Sequence, residues 1–160
     1  LQYFIVDFGS IHLIPTLCVY MALLPMIYAL AYPGNELNNL DILAAFLAIA
    51  AVIIQIISDQ QMFNFRRNLS EPKTMKSGLW YYSRHPNYFG EILFWFSLFV
   101  FALAANFNFA WLLIGTLIMY ALIAIASVSM MDKRSLERRS DFKEYMDSTP
   151  AIFINVFKRG

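Results

Sequence analysis

The fold of this protein is decided by residues 92–131, ILFWFSLFVFALAANFNFAWLLIGTLIMYALIAIASVSMM. These 40 consecutive residues contain no Asp, Glu, Lys or Arg. A single helix over them would be about 60 Å long, which is about twice the hydrocarbon core of a bilayer. Two membrane-spanning helices are therefore predicted here. Because Asn favours turns, we place the turn between them at Asn106-Phe107-Asn108.

Two more uncharged stretches lie upstream, at Ile11–Tyr32 and Ile42–Ser58, and the first is followed by the turn-like sequence Pro33-Gly34-Asn35. Composition points the same way, since 59% of the 160 residues are hydrophobic and 14% are charged. Soluble domains carry about 25% charged residues. We therefore predict an all-α fold. It is a polytopic membrane helix bundle with a cytoplasmic C-terminal helix and about four transmembrane helices, near residues 11–32, 41–64, 87–105 and 109–131.

The positive charges are confined to one side of this predicted topology. All 12 Lys and Arg residues lie within residues 66–84 or 133–159, and the alternate connections contain none. By the positive-inside rule, the basic loop 66–84, the C-terminal tail and the N-terminus are expected to be cytoplasmic. The sequence thus predicts an integral, multi-pass membrane protein whose helices contact the lipid bilayer.

We interpret residues 1–160 as a single membrane-embedded domain. The chain does not begin with Met and lacks the positive n-region of a signal peptide, so we expect it to be a fragment that lacks upstream residues. A single cysteine, Cys18, excludes a disulfide framework and a multi-thiolate metal site. We expect no metal and no nucleic-acid partner, and the sequence leaves the oligomeric state open.

A polar stripe follows one face of the second predicted helix. Gln55, Asp59 and Arg66 are separated by four and seven residues, spacings that place them on one helical face. Within a membrane, such a face is expected to contact protein or a water-filled cavity. The alternative is that Asp59 and Arg66 are merely solvated at the membrane interface.

A second polar group accompanies the start of the third helix, in SGLWYYSRHPNYFGE (residues 77–91). With the helix beginning at Pro86 or Asn87, Glu91 lies one turn inside an apolar span, where a carboxylate is costly unless it is paired. Arg84, His85 and the free N–H groups of the helix N-terminus can bind an anion. Alternatively, His85 has a capping or packing role, and three aromatic residues form a belt at headgroup depth: Trp80, Tyr81 and Tyr82.

The tail is expected to continue the fourth helix into the cytoplasm. Arg134, Arg138 and Tyr145 follow one another at i, i+4 and i+11 and are predicted to share one face of that helix. Two guanidinium groups beside a tyrosine suit the recognition of phosphate or carboxylate. The alternative is a basic anchor that binds anionic lipid.

These residues carry a family resemblance. The segment SGLWYYSRHPNYFGE resembles the signature of the steroid 5-alpha-reductase-like superfamily, in a poorly characterised bacterial and eukaryotic branch. The first helix and the tail of this chain are also similar to motifs of that branch. The similar residues are Leu13-Ile14-Pro15-Thr16, Glu137-Arg138-Arg139, Phe142, Tyr145 and Thr149-Pro150-Ala151. The similarity covers nearly the whole chain and corresponds to the C-terminal part of longer family members.

The resemblance implies an oxidoreductase of lipid metabolism. Such an enzyme binds NADPH in a cytoplasm-facing cavity and reduces a carbon–carbon double bond of a lipophilic, steroid- or enone-like substrate. The catalytic residues implied are Glu91, Tyr88 and His85, with Tyr88 or an acid upstream of Leu1 polarising the ketone. The cofactor-binding residues implied are Gln55, Asp59, Arg66, Arg84, Asn87, Glu91, Arg134, Arg138 and Tyr145. The Tyr and Glu that hold the steroid carbonyl in the family have no counterpart in this chain.

Two alternatives stay open. Arg84-His85-Pro86 also resembles the isoprenylcysteine carboxyl methyltransferases and phospholipid methyltransferases, which are related by fold and bind S-adenosylmethionine. A membrane methyltransferase is therefore the first alternative, and a non-catalytic membrane protein is the second. The spacing from Asp59 to Arg66 and the Asn-Tyr-Phe-Gly-Glu sequence at residues 87–91 favour the reductase.

Overall fold

The computed structural model describes residues 8–32, 36–67 and 73–154, apart from the side chains of residues 10 and 11. Over these ranges, all regular structure is helical and no strand is present. A π-helical turn at Phe8–Leu13 precedes the first α-helix. The α-helices are α1 (Ile14–Ala31), α2 (Asn39–Arg67), α3 (Leu79–Tyr82), α4 (Pro86–Ala105), α5 (Leu113–Ala121), α6 (Ser129–Arg138) and α7 (Phe142–Ser148).

Four helical stretches are long and apolar enough to cross a membrane: Ile14–Ala31, Asn39–Arg67, Pro86–Ala105 and Phe107–Arg138. This confirms the four predicted spans, and the protein is a multi-pass membrane protein. One face of α2 shows why a bilayer is needed, because its large apolar side chains are more than 60% exposed at Ile42, Phe46, Ile49 and Ile56.

The fourth span is not a uniform α-helix. It begins as a 3-10 helix at Phe107–Leu112, continues as α5, passes through a π-helical stretch at Leu122–Val128 and ends as α6. The predicted turn before it is confirmed, since Asn106 has an extended backbone and its side-chain oxygen accepts a hydrogen bond from the Asn108 N–H at 2.9 Å. The turn predicted at residues 33–35 lies outside the described residues.

Clustering of the chain's contacts gives two compact units. The first comprises the described parts of Leu1–Ala48 and Ile92–Leu122. Its core is formed by Phe99, Ala102 and Leu112. In this unit α1 and α5 pack so closely that a Cβ at Gly115 would lie 2.2 Å from the main-chain oxygen of Met21, so this crossing requires glycine.

The second unit comprises the described parts of Ile49–Glu91 and Ile123–Gly160, and it contains the residues singled out from the sequence. One prediction about its tail is wrong. The helix ends at Arg138, the backbone is extended at Arg139, and Tyr145 lies on the separate short helix α7. Tyr145 is buried, whereas Arg134 and Arg138 are exposed, so the three residues do not share one helical face.

Candidate functional site

The site is built where the segment before α4 meets the C-terminal segment. Main-chain N–H groups of Arg84 and His85 donate to the carbonyl oxygens of Pro150 at 2.9 Å and Ala151 at 3.0 Å. The Ser83 hydroxyl donates to the carbonyl of Ile152 at 2.9 Å. These bonds fix the backbone immediately before Pro86 starts α4, and therefore fix the position of Arg84 and His85.

Arg84 ties three elements together with one guanidinium group. Its Nη1 donates to the carbonyl oxygens of Met146 and Thr149, each at 2.8 Å. Its Nη2 donates to Oδ2 of Asp132 at 2.8 Å, and both of these side chains are nearly buried. Arg84 therefore holds the end of α7 and the end of the fourth span in place. Its Nε atom is buried and has no hydrogen-bond partner among the described residues.

Asp132 also contacts His85. Its Oδ1 lies 2.9 Å from the imidazole Nε2, and each residue is 8% exposed. The imidazole ring stacks on the ring of Tyr88, with centroids 5.2 Å apart and planes 12° from parallel. A buried carboxylate with two charge-assisted partners is satisfied, so Asp132 organises both Arg84 and His85.

The helices α2 and α4 position the remaining polar residues of the site. They approach closely at Gly90, where a Cβ would lie 2.8 Å from Cγ of Gln55 and 2.9 Å from the carbonyl oxygen of Ala51. One turn earlier, Nδ2 of Asn87 donates to Oδ1 of Asp59 at 3.3 Å. Among the described residues, the Oδ1 atom of Asn87 is fully buried and has no hydrogen-bond partner.

These side chains surround an inner cavity of about 260 Å³. Its wall combines polar groups with apolar and aromatic surface. The residues that line it are Asp59, Met62, Arg66, Thr74, Met75, Trp80, Arg84, His85, Asn87, Tyr88, Met131, Ser135, Arg139, Phe142 and Tyr145.

An outer cavity of about 450 Å³ adjoins it. The two cavities share Met62, Arg66, Met131, Ser135 and Arg139, so we treat them as one cleft. The outer cavity is lined by those five residues together with Phe65, Lys73, Arg134 and Arg138. Five of its nine lining residues are cationic, which makes it the basic part of the cleft.

The outer cavity holds several cations close together. Among the described residues, none of the five forms an ion pair; they are Arg66, Lys73, Arg134, Arg138 and Arg139. Burial and the guanidinium groups of Arg66 and Arg138 lower the pKa of Arg139, outweighing the opposite effect of Asp141. Cations held this close together favour a bound anion, because an anion relieves their mutual repulsion.

The structure brings together most of the residues predicted from the sequence. Asp59, Arg66, Arg84, His85, Asn87, Tyr88 and Tyr145 line the inner cavity, and Arg66, Arg134 and Arg138 line the outer one. Gln55 and Glu91 are partly buried but line neither cavity.

Tyr145 contributes its ring to the cavity, while its hydroxyl is used internally. The hydroxyl donates to the carbonyl oxygens of Trp80 and Ser83, the second at 3.1 Å. Burial raises the pKa of Tyr145, an effect that the nearby Arg84 partly opposes and Asp132 reinforces. The phenol therefore stays protonated and serves as a donor to the main chain.

Sequence reasoning missed Asp132, Lys73 and Arg139. Asp132 carried a signal, because it is the first charged residue after the 40 uncharged ones, just as Glu91 is the last before them. A carboxylate in that position needs a partner. Lys73 carried none beyond its charge, since it belongs to a segment that the positive-inside rule already explains. Arg139 lies in the Glu137-Arg138-Arg139 stretch of the family resemblance, but it was not assigned to the site.

These features define a multi-pass membrane protein with a cationic cleft between the end of its fourth span, its second span and the segment before α4. The chain belongs to a protein family described as of unknown function, DUF1295, whose model matches residues 2–149. It is similar to uncharacterized protein C594.04c of Schizosaccharomyces pombe, with 26% identity over 171 aligned residues. The alignment covers 89% of this chain and 47% of the yeast protein, so the chain spans about half the length of that relative. No solved structure matches the chain.

Proposed function

We propose that this protein is an integral membrane oxidoreductase that uses NADPH to reduce a carbon–carbon double bond of a lipophilic, steroid- or enone-like substrate. The observation that carries the proposal is the set of five cations that line the outer cavity and form no ion pair with another described residue: Arg66, Lys73, Arg134, Arg138 and Arg139. We further propose that this cleft opens to the cytoplasm, since the positive-inside rule places its basic residues there.

The charge of the cleft supports NADPH over S-adenosylmethionine. NADPH carries a pyrophosphate and a 2′-phosphate, and guanidinium groups bind phosphate oxygens in a bidentate manner. S-adenosylmethionine carries a sulfonium and an ammonium group against one carboxylate, so its net charge is positive. Five cations along the outer cavity attract the first ligand and repel the second.

The inner cavity supplies groups that fit the uncharged parts of the cofactor. Among the described residues, Oδ1 of Asn87 and Nε of Arg84 are fully buried without a hydrogen-bond partner, and we propose that both side chains shift to bind the cofactor when it enters. Asp59, which accepts a hydrogen bond from Asn87, adds a carboxylate that can also accept hydrogen bonds from ribose hydroxyl groups. Arg66 lines both cavities, and we propose that it binds a phosphate of the cofactor. When bound, NADPH supplies the hydride for the reduction.

The position of the cleft residues in the chain supports a lipophilic substrate. Asp59, Asn87 and Tyr88 belong to helices that are apolar enough to span a bilayer. A molecule that reaches these residues from the lipid must itself dissolve in lipid. We propose that Tyr88 and His85, whose stacked rings line the inner cavity, contact the reacting end of this substrate. We also propose that Glu91, one turn further along α4, takes part in catalysis and cofactor binding.

The proposal is tested by equilibrium dialysis of radiolabelled NADPH and S-adenosylmethionine against the purified protein in detergent. We expect NADPH to bind and S-adenosylmethionine not to bind. Arg138→Gln should weaken NADPH binding about tenfold, because a charge-assisted hydrogen bond contributes about 1.5 kcal/mol. Lys133→Gln is the matched control, since Lys133 is an exposed cation of the same helix that lines neither cavity.

Other outcomes would replace the proposal. Binding of S-adenosylmethionine alone would favour the membrane methyltransferase that the Arg84-His85-Pro86 motif also suggests. Binding of neither ligand would favour a non-catalytic membrane protein. Equal loss of NADPH binding in Arg138→Gln and Lys133→Gln would mean that the outer cavity is not the phosphate site.

A further inference from the structure

We infer that Asp132 is a positioning residue for His85, which fixes the imidazole so that its Nδ1 atom delivers a proton to a molecule bound in the inner cavity. The tautomer of His85 depends only on the hydrogen bonds of Asp132. The role of the proton rests on the proposed reductase function.

The tautomer follows from the hydrogen-bonding chemistry of the carboxylate. Oδ2 of Asp132 accepts from Nη2 of Arg84 at 2.8 Å, and Oδ1 lies 2.9 Å from Nε2 of His85. An ionised carboxylate can only accept hydrogen bonds, so Nε2 must carry a hydrogen atom. In neutral His85, Nδ1 is then the unprotonated nitrogen, and it becomes a donor when the ring takes up a second proton.

The ring is held in this orientation from several sides. Tyr88 stacks on one face of the imidazole, with its centroid 5.2 Å away. The main-chain N–H of His85 donates to the carbonyl of Ala151 at 3.0 Å, which fixes the backbone. In the part of the chain that the structure describes, Nδ1 has no hydrogen-bond partner, and His85 lines the inner cavity. Nδ1 is therefore the ring nitrogen left for a ligand.

Arg84 completes the arrangement by holding the carboxylate. Since Arg84 also donates to the carbonyls of Met146 and Thr149, it cannot swing away without breaking those bonds. Arg84 thus holds the carboxylate of Asp132 in one position, and Asp132 in turn holds the imidazole of His85. Such an orienting carboxylate behind a histidine keeps the ring in one tautomer during proton transfer.

The proton step balances in the proposed reduction. The β-carbon of the enone gains the hydride, with its two electrons, that NADPH loses on becoming NADP⁺. The α-carbon gains a proton as the Nδ1–H bond of protonated His85 breaks, and the carbon–carbon double bond becomes a single bond. His85 is left neutral with its remaining hydrogen on Nε2, and Nδ1 regains a proton from bulk solvent, which supplies the one net proton that each reduction consumes.

The tautomer is measured by ¹⁵N NMR of the full chain labelled at histidine. The chain contains two histidines, His12 and His85, so the His12→Gln variant assigns the signals of His85 directly. We expect neutral His85 in the unsubstituted protein to carry its hydrogen on Nε2. This measurement needs no change at the site, so a folding defect cannot obscure it.

A substitution then tests the role of Asp132. In Asp132→Asn, the amide oxygen is drawn to Arg84 and the amide NH₂ group donates to Nε2, so we expect the hydrogen of His85 to move to Nδ1. Asp147→Asn makes the same change at an exposed carboxylate of α7 that pairs with Lys143, and it should leave the ¹⁵N shifts of His85 unchanged. For the enone reduction, we expect Asp132→Asn to lower kcat at least about 100-fold, with NADPH binding changed less than about twofold, and Asp132→Glu to restore part of the rate.

The outcomes separate this inference from the proposed function. A hydrogen on Nδ1 in the unsubstituted protein, or ¹⁵N shifts that Asp132→Asn does not alter, overturns the positioning role whether or not NADPH binds. The expected tautomer in a protein that binds no NADPH would overturn the reductase and keep Asp132 as the residue that orients His85. An unchanged kcat in Asp132→Asn would overturn the proton step.

Discussion

Gly90 of α4 lies against Gln55 of α2 so closely that a Cβ at position 90 would meet Cγ of Gln55 at 2.8 Å and the carbonyl oxygen of Ala51 at 2.9 Å. A main-chain oxygen cannot move aside as a flexible side chain can. We therefore expect Gly90→Ala to destabilise the protein by about 1–3 kcal/mol through overpacking, measured as a lower Tm in detergent by circular dichroism. Gly9→Ala is the control, because nothing lies within 4 Å of a Cβ there. Equal Tm values for the two variants would contradict the close approach.

Replacing Arg84 with Met should loosen the C-terminal segment. The change removes the donors to Met146 and Thr149 and leaves the buried carboxylate of Asp132 without its cation. Breaking a buried pair in this way costs about 3 kcal/mol or more. We expect faster hydrogen exchange and proteolysis within residues 142–152, followed by mass spectrometry.

The control for this change is Lys143→Met, which breaks an exposed pair with Asp147. Exposed pairs contribute about 1 kcal/mol at most, so exchange in the same residues should change little. If residues 142–152 exchange hydrogen at the same rate in Arg84→Met and in Lys143→Met, Arg84 does not hold that segment.

Asp141 should make stability depend on pH in the acid range. Thr74 donates to its carboxylate from N at 3.2 Å and from Oγ1 at 2.7 Å. Burial raises the pKa of Asp141, but these hydrogen bonds and Lys76 outweigh burial and leave the pKa below its ordinary value. Such a carboxylate stabilises the fold above its unfolded pKa of about 3.9, and the contribution is lost as the pH falls through the folded value.

We therefore expect Asp141→Asn to lower Tm at neutral pH, with a difference from the unsubstituted protein that shrinks below about pH 4. Thermal unfolding at a series of pH values checks this. Asp147→Asn, at an exposed carboxylate of the neighbouring helix α7, should have a smaller effect throughout. A difference for Asp141→Asn that stays constant down to acid pH would exclude a lowered pKa.

Binding of NADPH should weaken as salt is added. In the proposed complex, Arg66, Arg134, Arg138 and their neighbours in the outer cavity would bind the phosphates, and Arg134 and Arg138 are exposed. Salt screens exposed charges, so we expect Kd to rise several-fold from about 50 to about 500 mM KCl. Arg134→Gln should flatten this dependence, and Lys133→Gln should not. A Kd that does not respond to salt would argue against phosphate binding in the outer cavity.

The spans could be predicted from the sequence because their signal is local. The absence of charge over residues 92–131 is enough to require two membrane crossings, and Asn106 marks the turn between them. The π-helical stretch at Leu122–Val128 could not be predicted in this way. Its residues are as apolar as those around it, and its geometry depends on packing along the helix.

The site was predictable only in part, because its decisive contacts join distant residues. Asp132 and His85 are 47 positions apart, and no helical periodicity relates them. The end of the helix at Arg138 also could not be predicted from nearby residues. No Gly or Pro marks it, and Asp141 is held there by Thr74, which lies 67 positions earlier. Helical spacing was enough to predict that Asp59 and Arg66 lie on one face of α2, whereas the contact of Asp132 with His85 forms only when the chain folds.

Trp80 gives the cleft an optical reporter of its own. Its indole Nε1–H donates to the carbonyl oxygen of Ser58 at 3.1 Å, while the side chain lines the inner cavity. The other two tryptophans, Trp95 and Trp111, line neither cavity. A protein carrying Trp95→Phe and Trp111→Phe would therefore emit from the cavity wall alone. A reduced nicotinamide ring bound there would quench that emission by energy transfer, because it absorbs where tryptophan emits. Occupancy by NADPH could then be followed in membranes without labelling the ligand.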